Sequence, residues 1–457
     1  MTITNPFASI LVLLLVTSAM PAQDTTTTQV SPATPISALR IGTISLYGVY
    51  YSHRLPNGGS FQPGATNLPS DFGAGGSIVV DWTKFTDRSA FSLTYTPSFT
   101  ARARFSSLDA LNHNLNINVR RKLAPRWILG FSMAGDYSNL DQSLFAPTAL
   151  SNAASVPSTF NDLAGALLTG KFSNNPQLGV ALTNVALLES PLRTLLYGER
   201  MLTVSGQTSL AYSYSPRLSI KFSGQVSRAQ HASGDQAVGA SNAFLLPNTT
   251  SGNVGAEVSY SLSPLTQLGG SITTSRVSSI LQDYYTTTSQ ATFGRTIGRW
   301  WLLQAHGGMG FSKSARSTTM AIQTEPRPAF GGSLAFKTTS TTLLGAFDRT
   351  VADTYGLGAN TSSSANGAWR WQHPGSSWWL ETNGGWQQLS GDVQSLANTK
   401  GVHVLAGFGR IIGQHISLLM QYTYLTYSGK LPTFVYNLSQ SAVRVSFTWY
   451  PQSNTTQ

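Results

Sequence analysis

The chain has 457 residues, no cysteine and 10% charged residues, against roughly 25% in an ordinary soluble domain. Thiol catalysis and Cys-ligated metal sites are therefore excluded. The formal net charge is +11, but it is spread thinly and forms no Lys/Arg-rich run, so nucleic acid is not the expected partner.

So little charge points to a membrane, yet the mean hydropathy is only −0.05. No later stretch reaches the ~18 continuous apolar residues that a membrane helix needs. A membrane-spanning β-barrel reconciles the two, because only every second residue of each strand faces lipid.

Residues 1–22 read as a signal peptide. Residues 8–16 form a short apolar core, and small residues with cuts after Ala19 or Ala22 follow. One departure is that residues 1–7 carry no Lys or Arg. Residues 23–40, Thr-rich with Pro32 and Pro35, read as a flexible periplasmic leader. A leader this short leaves no room for a plug domain or for folded periplasmic repeats ahead of the barrel.

The barrel is expected over residues 41–450. Phe91, Leu93, Tyr95 and Phe99 alternate with Ser92, Thr94, Thr96 and Ser98. In residues 111–123, His113, Leu115, Ile117 and Val119 alternate with Asn114, Asn116, Asn118, Arg120 and Lys122. The same period of two recurs at Leu218, Ile220, Phe222; at Val254, Ala256, Val258, Tyr260; and at Val443, Val445, Phe447, Trp449. A period of two with one apolar face is a strand between two environments.

Short turns are expected at Thr86-Asp87-Arg88, Ala124-Pro125-Arg126, Ser215-Pro216-Arg217, Ser263-Pro264-Leu265, Gly298-Arg299, Thr338-Thr339-Ser340, His373-Pro374-Gly375 and Gly413-Gln414-His415. A strand–Pro-Arg–strand unit recurs loosely among them. Longer Asn/Ser/Gly-rich loops are expected between consecutive short turns, the pattern of an outer-membrane barrel. The count is about 18 antiparallel strands, within a range of 14 to 18. An even number places both barrel termini on the short-turn, periplasmic side.

Trp82, Trp127, Tyr214, Trp300, Trp371, Trp378 and Trp449 fall near the short turns or the last strand's end. They are expected to form one membrane-interface girdle. Tyr50, Phe105, Tyr137, Phe311, Trp386 and Tyr424 would form the second.

Residues 139–201 show no strand pattern over a length far beyond an ordinary connection. Asn161 or Asp162 could cap a helical turn through Leu163, Ala166 and Leu167, and a second apolar stretch at 178–195 is interrupted by Pro191. A segment this apolar must pack on something. Two readings stand open: a constriction folded into the barrel mouth, or an extracellular cap.

No catalytic constellation emerges. Gly130-Phe131-Ser132-Met133-Ala134 breaks G-x-S-x-G at its last position, and no P-loop, H-E-x-x-H or EF-hand loop occurs. The seven histidines are scattered. An enzyme is not expected; nor are catalytic, cofactor-binding or metal-binding residues. By alternation the expected pore-lining charges are Arg102, Arg104, Arg120, Lys122, Lys221, Arg370 and Arg444, with Glu257 and Glu381. Lys337 and the acids Asp81 and Asp136 are also expected to face inward.

The run Tyr95-Thr96-Pro97-Ser98-Phe99, then Leu108-Asp109-Ala110-Leu111-Asn112-His113, then Pro125-Arg126-Trp127 resembles outer-membrane β-barrel porins of Gram-negative bacteria. The resemblance is clear over about 50 residues. It implies an outer-membrane barrel, permits a pore, and carries over no catalytic residue. The C-terminus departs from the usual barrel pattern, because Trp449 and Tyr450 are followed by Pro451 and a polar tail, 451–457.

The resulting expectation is a channel for passive diffusion of small polar solutes, favouring anions, in contact with outer-membrane lipid. A second copy of the chain is an allowed partner, although no subunit-contact signal is visible. The alternative is a plugged structural barrel, or one serving exopolysaccharide secretion.

Overall fold

The computed structural model describes residues 36–52, 70–104, 109–139, 200–231, 248–279, 283–314, 326–353, 359–391, 398–430 and 435–451. The expected signal peptide, residues 23–35, most of the 139–201 segment and most of the tail lie outside the described residues.

The described residues form eighteen strands. The first six are β1 (Ile36–Tyr51), β2 (Asp71–Phe85), β3 (Ser89–Arg102), β4 (Ala110–Ala124), β5 (Trp127–Asn139) and β6 (Arg200–Ser213). Next come β7 (Leu218–His231), β8 (Thr249–Ser263), β9 (Thr266–Ser279), β10 (Asp283–Ile297), β11 (Trp301–Ser314) and β12 (Pro326–Lys337). The last six are β13 (Thr341–Asp353), β14 (Ala359–Trp371), β15 (Trp378–Gly391), β16 (Asn398–Ile412), β17 (Ile416–Lys430) and β18 (Val435–Trp449). Each pairs antiparallel with its sequence neighbours, and β1 pairs with β18 through Ile44↔Trp449 to Tyr51↔Ala442. The sheet is thus an up-and-down barrel without an edge. Closure matters in hydrocarbon, where an unpaired backbone N–H or C=O would cost several kcal/mol.

The strands run from 12 to 16 residues. A tilted strand crosses a bilayer in about 9–11, so each one spans and projects beyond. All eight short connections close at one end, where β1 begins and β18 ends. Gly298, Gly375 and Gly413 have positive φ in three of these turns, a conformation that glycine adopts without a Cβ penalty.

Two details differ from the sequence reading. Residues 36–40, read as leader, are strand and pair with β2 from Ile36↔Phe85 to Arg40↔Asp81. Nor are all connections at the opposite end long: three residues separate β9 from β10. A two-strand hairpin closes with very few residues, and the connecting residues Ile280, Leu281 and Gln282 carry no turn signal that sets the loop length.

Candidate functional site

Alternation gives most strands one mainly apolar face and one mainly polar face. On β8 the first face carries Val254, Ala256, Val258 and Tyr260; the second carries Ser251, Asn253, Glu257 and Ser259. Val254 and Val258 are 65% and 44% exposed. Apolar side chains this open on the convex outside of a barrel have lipid as their solvent. The polar set lines the inside. On β10 it reads Thr286, Thr288, Gln290, Thr292 and Thr296, and on β14 Ser362, Ser364, Asn366 and Arg370. Interior hydroxyls pair across strands, as in Ser219–Ser259 at 2.6 Å and Ser227–Ser251 at 2.5 Å.

The charges of the inner wall fall in several groups. Lys221 on β7 stands directly opposite Glu257 on β8. Asp136 accepts a hydrogen bond from Asn114 Nδ2 at 3.3 Å, and Asp81 accepts one from Thr94 at 2.7 Å. Arg120 and Lys122 share the inner face of β4 near the short-turn mouth, where both are exposed. Arg102 is buried in the wall instead. Its guanidinium lies 3.6 Å from Asp71, with side chains 2% and 1% exposed, and 3.8 Å over the Tyr51 ring. Arg444 lies 4.0 Å over the Tyr47 ring.

Arg104 lies two residues beyond β3 at the long-loop rim and is exposed; its guanidinium donates to the Ser70 carbonyl at 3.3 Å. Backbone pairing continues past the strand end, with Ala103 N donating to the Phe72 carbonyl at 2.8 Å and Arg104 N donating to Asp71 Oδ1 at 3.1 Å.

Register connects several of these charges. Lys337, Thr342, Arg370, Glu381, Gly407, Gln421, Arg444, Val49, Gly73 and Arg102 are successive direct partners across ten strands. Lys337 ends β12 at the short-turn rim, and Arg102 ends β3 at the opposite rim. Strands of a barrel tilt by roughly 35–45°, so a line of direct partners climbs along the axis. Four cations and one carboxylate therefore lie on a single inward spiral from one mouth to the other.

Along that line Glu381 is held on several sides. Gln421 Nε2 donates to it at 2.9 Å and Trp379 Nε1 at 3.3 Å. Arg370 stands opposite it in register and lies 5.5 Å over the Trp379 ring. Gly407 separates Glu381 from Gln421; a Cβ there would come within 2.8 Å of the Glu381 side chain. The sequence reading did not single out Asp71, Tyr47, Tyr51, Trp379 or Gln421. Period two marks their strands but not their partners, which depend on register.

Among the described residues no group of three His, Asp or Glu side chains is placed to hold a metal ion.

The aromatics fall at two levels of the outer face. Trp82, Trp300, Trp378 and Trp449 are each 38–45% exposed near the short-turn end. Trp127 packs on Tyr212 at 4.5 Å, Trp371 ends β14, and Tyr214 is exposed in the turn after β6. Tyr50, Tyr137, Phe311, Trp386 and Tyr424 occupy outward positions towards the other end; Phe105 lies outside the described residues.

A closed sheet, an apolar exterior and a polar interior define a membrane-spanning, up-and-down β-barrel. No family model matches the chain, and no curated protein does. Solved structures do resemble it. Pseudomonas aeruginosa OccK9 (OpdG) is 11% identical at TM-score 0.44, covering 90% of this chain and 98% of its own. A BenF-like porin from Pseudomonas fluorescens Pf-5 is 9% identical at TM-score 0.43, covering 91% and 98%. Pseudomonas aeruginosa OpdK, solved with vanillate, is 10% identical at TM-score 0.42, covering 89% and 98%.

Proposed function

We propose that this barrel is an outer-membrane channel through which small polar solutes diffuse passively, with anions favoured over cations. The observation that carries the reading is the inward spiral of Lys337, Arg370 and Arg444 on a wall of hydroxyls and amides.

An 18-stranded barrel has room for an aqueous lumen. Hydroxyls and amides exchange hydrogen bonds with a passing solute without holding it, as conduction requires. The cations raise the local concentration of anions. Their strengths differ. Arg102 is largely neutralised by Asp71, whereas Arg120 and Lys122 are exposed at the short-turn mouth and act on solutes arriving there. Short turns face the periplasm in barrels of this architecture, which puts both ends of the barrel chain on that side.

The test is single-channel recording from the refolded chain in a planar bilayer under a KCl gradient. Discrete conductance steps with a reversal potential on the chloride side support both halves of the proposal. Steps with a potassium-side reversal would remove the anion preference, and a folded but silent barrel would remove the channel.

A further inference from the structure

The arginines of the short turns are not among the side chains of the inner wall. At the short-turn rim the chain places Arg88, Arg126, Arg217 and Arg299 in turns. Lys84, Arg121, Arg295 and Arg410 take outward positions on β2, β4, β10 and β16 within a few residues of those turns. All eight are exposed. Asp87 is the one acid among the described outward and turn residues of this rim. The opposite rim mixes signs instead, with Asp71, Asp109, Asp283 and Asp353 beside Arg104, Arg276, Lys313 and Lys400.

Five of these cations form a continuous arc. Lys84, Arg88, Arg121, Arg126 and Arg217 come from three adjacent hairpins, β2–β3, β4–β5 and β6–β7. The turns are held in equivalent positions by their own backbones. The Arg88 carbonyl accepts from Lys122 N at 2.7 Å, Arg126 from Ser213 N at 2.9 Å, and Arg217 from Ser261 N at 2.7 Å. Each arginine thus stands at the same point of successive hairpins, and its side chain is left exposed.

The surroundings indicate the ligand. Lys84 and Arg121 project from the outer face, in the layer of Trp82 and Trp127. Arg410 lies 4.5 Å over the ring of the girdle residue Trp378. Interfacial tryptophans mark the headgroup layer, so these cations lie level with lipid phosphates. A guanidinium binds phosphate through short, charge-assisted hydrogen bonds, and Lys and Arg near an anionic lipid surface are attracted to it.

We propose that the arc Lys84, Arg88, Arg121, Arg126 and Arg217 is a binding surface for anionic phospholipid headgroups in the leaflet at the short-turn end. It selects lipids with net negative charge over zwitterionic ones. The surface belongs to the barrel exterior and does not depend on an open lumen.

The girdle itself supplies the probe. The full chain is reconstituted in phosphatidylcholine vesicles containing either brominated phosphatidylglycerol or brominated phosphatidylcholine, and quenching of tryptophan emission is followed against mole fraction. The expected binding constant for phosphatidylglycerol is about fivefold that for phosphatidylcholine, the equivalent of about 1 kcal/mol. It should fall towards parity in about 0.5 M NaCl, where charges are screened within a few ångström. The variant Arg88→Gln/Arg126→Gln/Arg217→Gln changes only exposed turn side chains and should lose most of the preference. Adding Lys84→Gln and Arg121→Gln should remove the rest. Circular dichroism verifies the fold, and the turn variant alone suffices if the fivefold variant does not refold. Equal quenching by the two lipids overturns the proposal, as does an unchanged preference in a folded variant. Salt-sensitive binding of polyglutamate without any lipid preference also overturns it, and would assign the arc to an acidic protein instead.

Discussion

His306 Nε2 and Asp348 Oδ1 meet at 2.7 Å although the residues belong to β11 and β13, with β12 between them. The intervening register position is Gly331, paired with His306 on one side and Asp348 on the other. A Cβ at 331 would lie 2.7 Å from both side chains and 2.5 Å from the Phe347 carbonyl. Glycine therefore lets two polar side chains join over a strand and lie flat against the lumen wall. Gly407 does the same between Glu381 and Gln421, and Gly75 between Tyr47 and Thr100. These bridges tie three strands at a time and keep polar groups satisfied against the wall.

Gly331→Ala should therefore destabilise the barrel by about 1–3 kcal/mol, because backbone and side chains must both shift. Gly345→Ala is the matched control: it lies on β13 with nothing within 4 Å of a Cβ, and its effect should stay within about 0.5 kcal/mol. Urea unfolding in vesicles, followed by tryptophan emission, measures both. Equal midpoints for the two variants would show that the bridge does not constrain the wall.

How much of this could be read from the sequence follows from the range of each signal. Period two along residues such as 254–260 and the Pro-Arg turns are local, so the strands, their faces and the eight short turns were legible. The bridges were not: His306 and Asp348 are 42 positions apart, and Glu381 and Gln421 are 40. Nothing local sets their register, and the glycine between them looks like any other strand glycine.

Asp71 and Arg102 test how an inward charge is used. Their side chains are almost fully buried, and removing one partner of such a pair typically costs about 3–5 kcal/mol. Asp71→Ala should show a loss of that order in urea unfolding. The double variant Asp71→Leu/Arg102→Met should recover most of it, since apolar replacement of a buried pair is often neutral. If the double variant is no better than the single one, the interaction with the Tyr51 ring, rather than the ion pair, dominates at this position.

Glu381 should separate charge from hydrogen bonding. It accepts from Gln421 and Trp379 and stands opposite Arg370. Glu381→Ala removes an acceptor from two donors and should cost about 1–3 kcal/mol. Glu381→Gln retains an acceptor oxygen and should cost less, yet it removes the one carboxylate on the cation spiral. In bilayer recordings Glu381→Gln should move the reversal potential further to the chloride side. An unchanged reversal potential would mean that this carboxylate does not act on the conducting path.

The mouth and the wall should differ in their effect on selectivity. Arg120 and Lys122 are exposed inward cations at the short-turn mouth, whereas Arg102 is matched by Asp71 within the wall. An exposed charge acts on the solution in the lumen, and a buried, paired one acts on its partner. Arg120→Glu/Lys122→Glu should therefore lower the chloride-to-potassium permeability ratio by roughly twofold or more, since clefts lined by charges of one sign carry potentials of several kT. Asp71→Leu/Arg102→Met should leave that ratio unchanged, because it removes no net charge. Reversal potentials under one KCl gradient compare the two variants directly. If the wall variant shifts the ratio and the mouth variant does not, the selective segment lies at the long-loop end, where Arg102 ends β3.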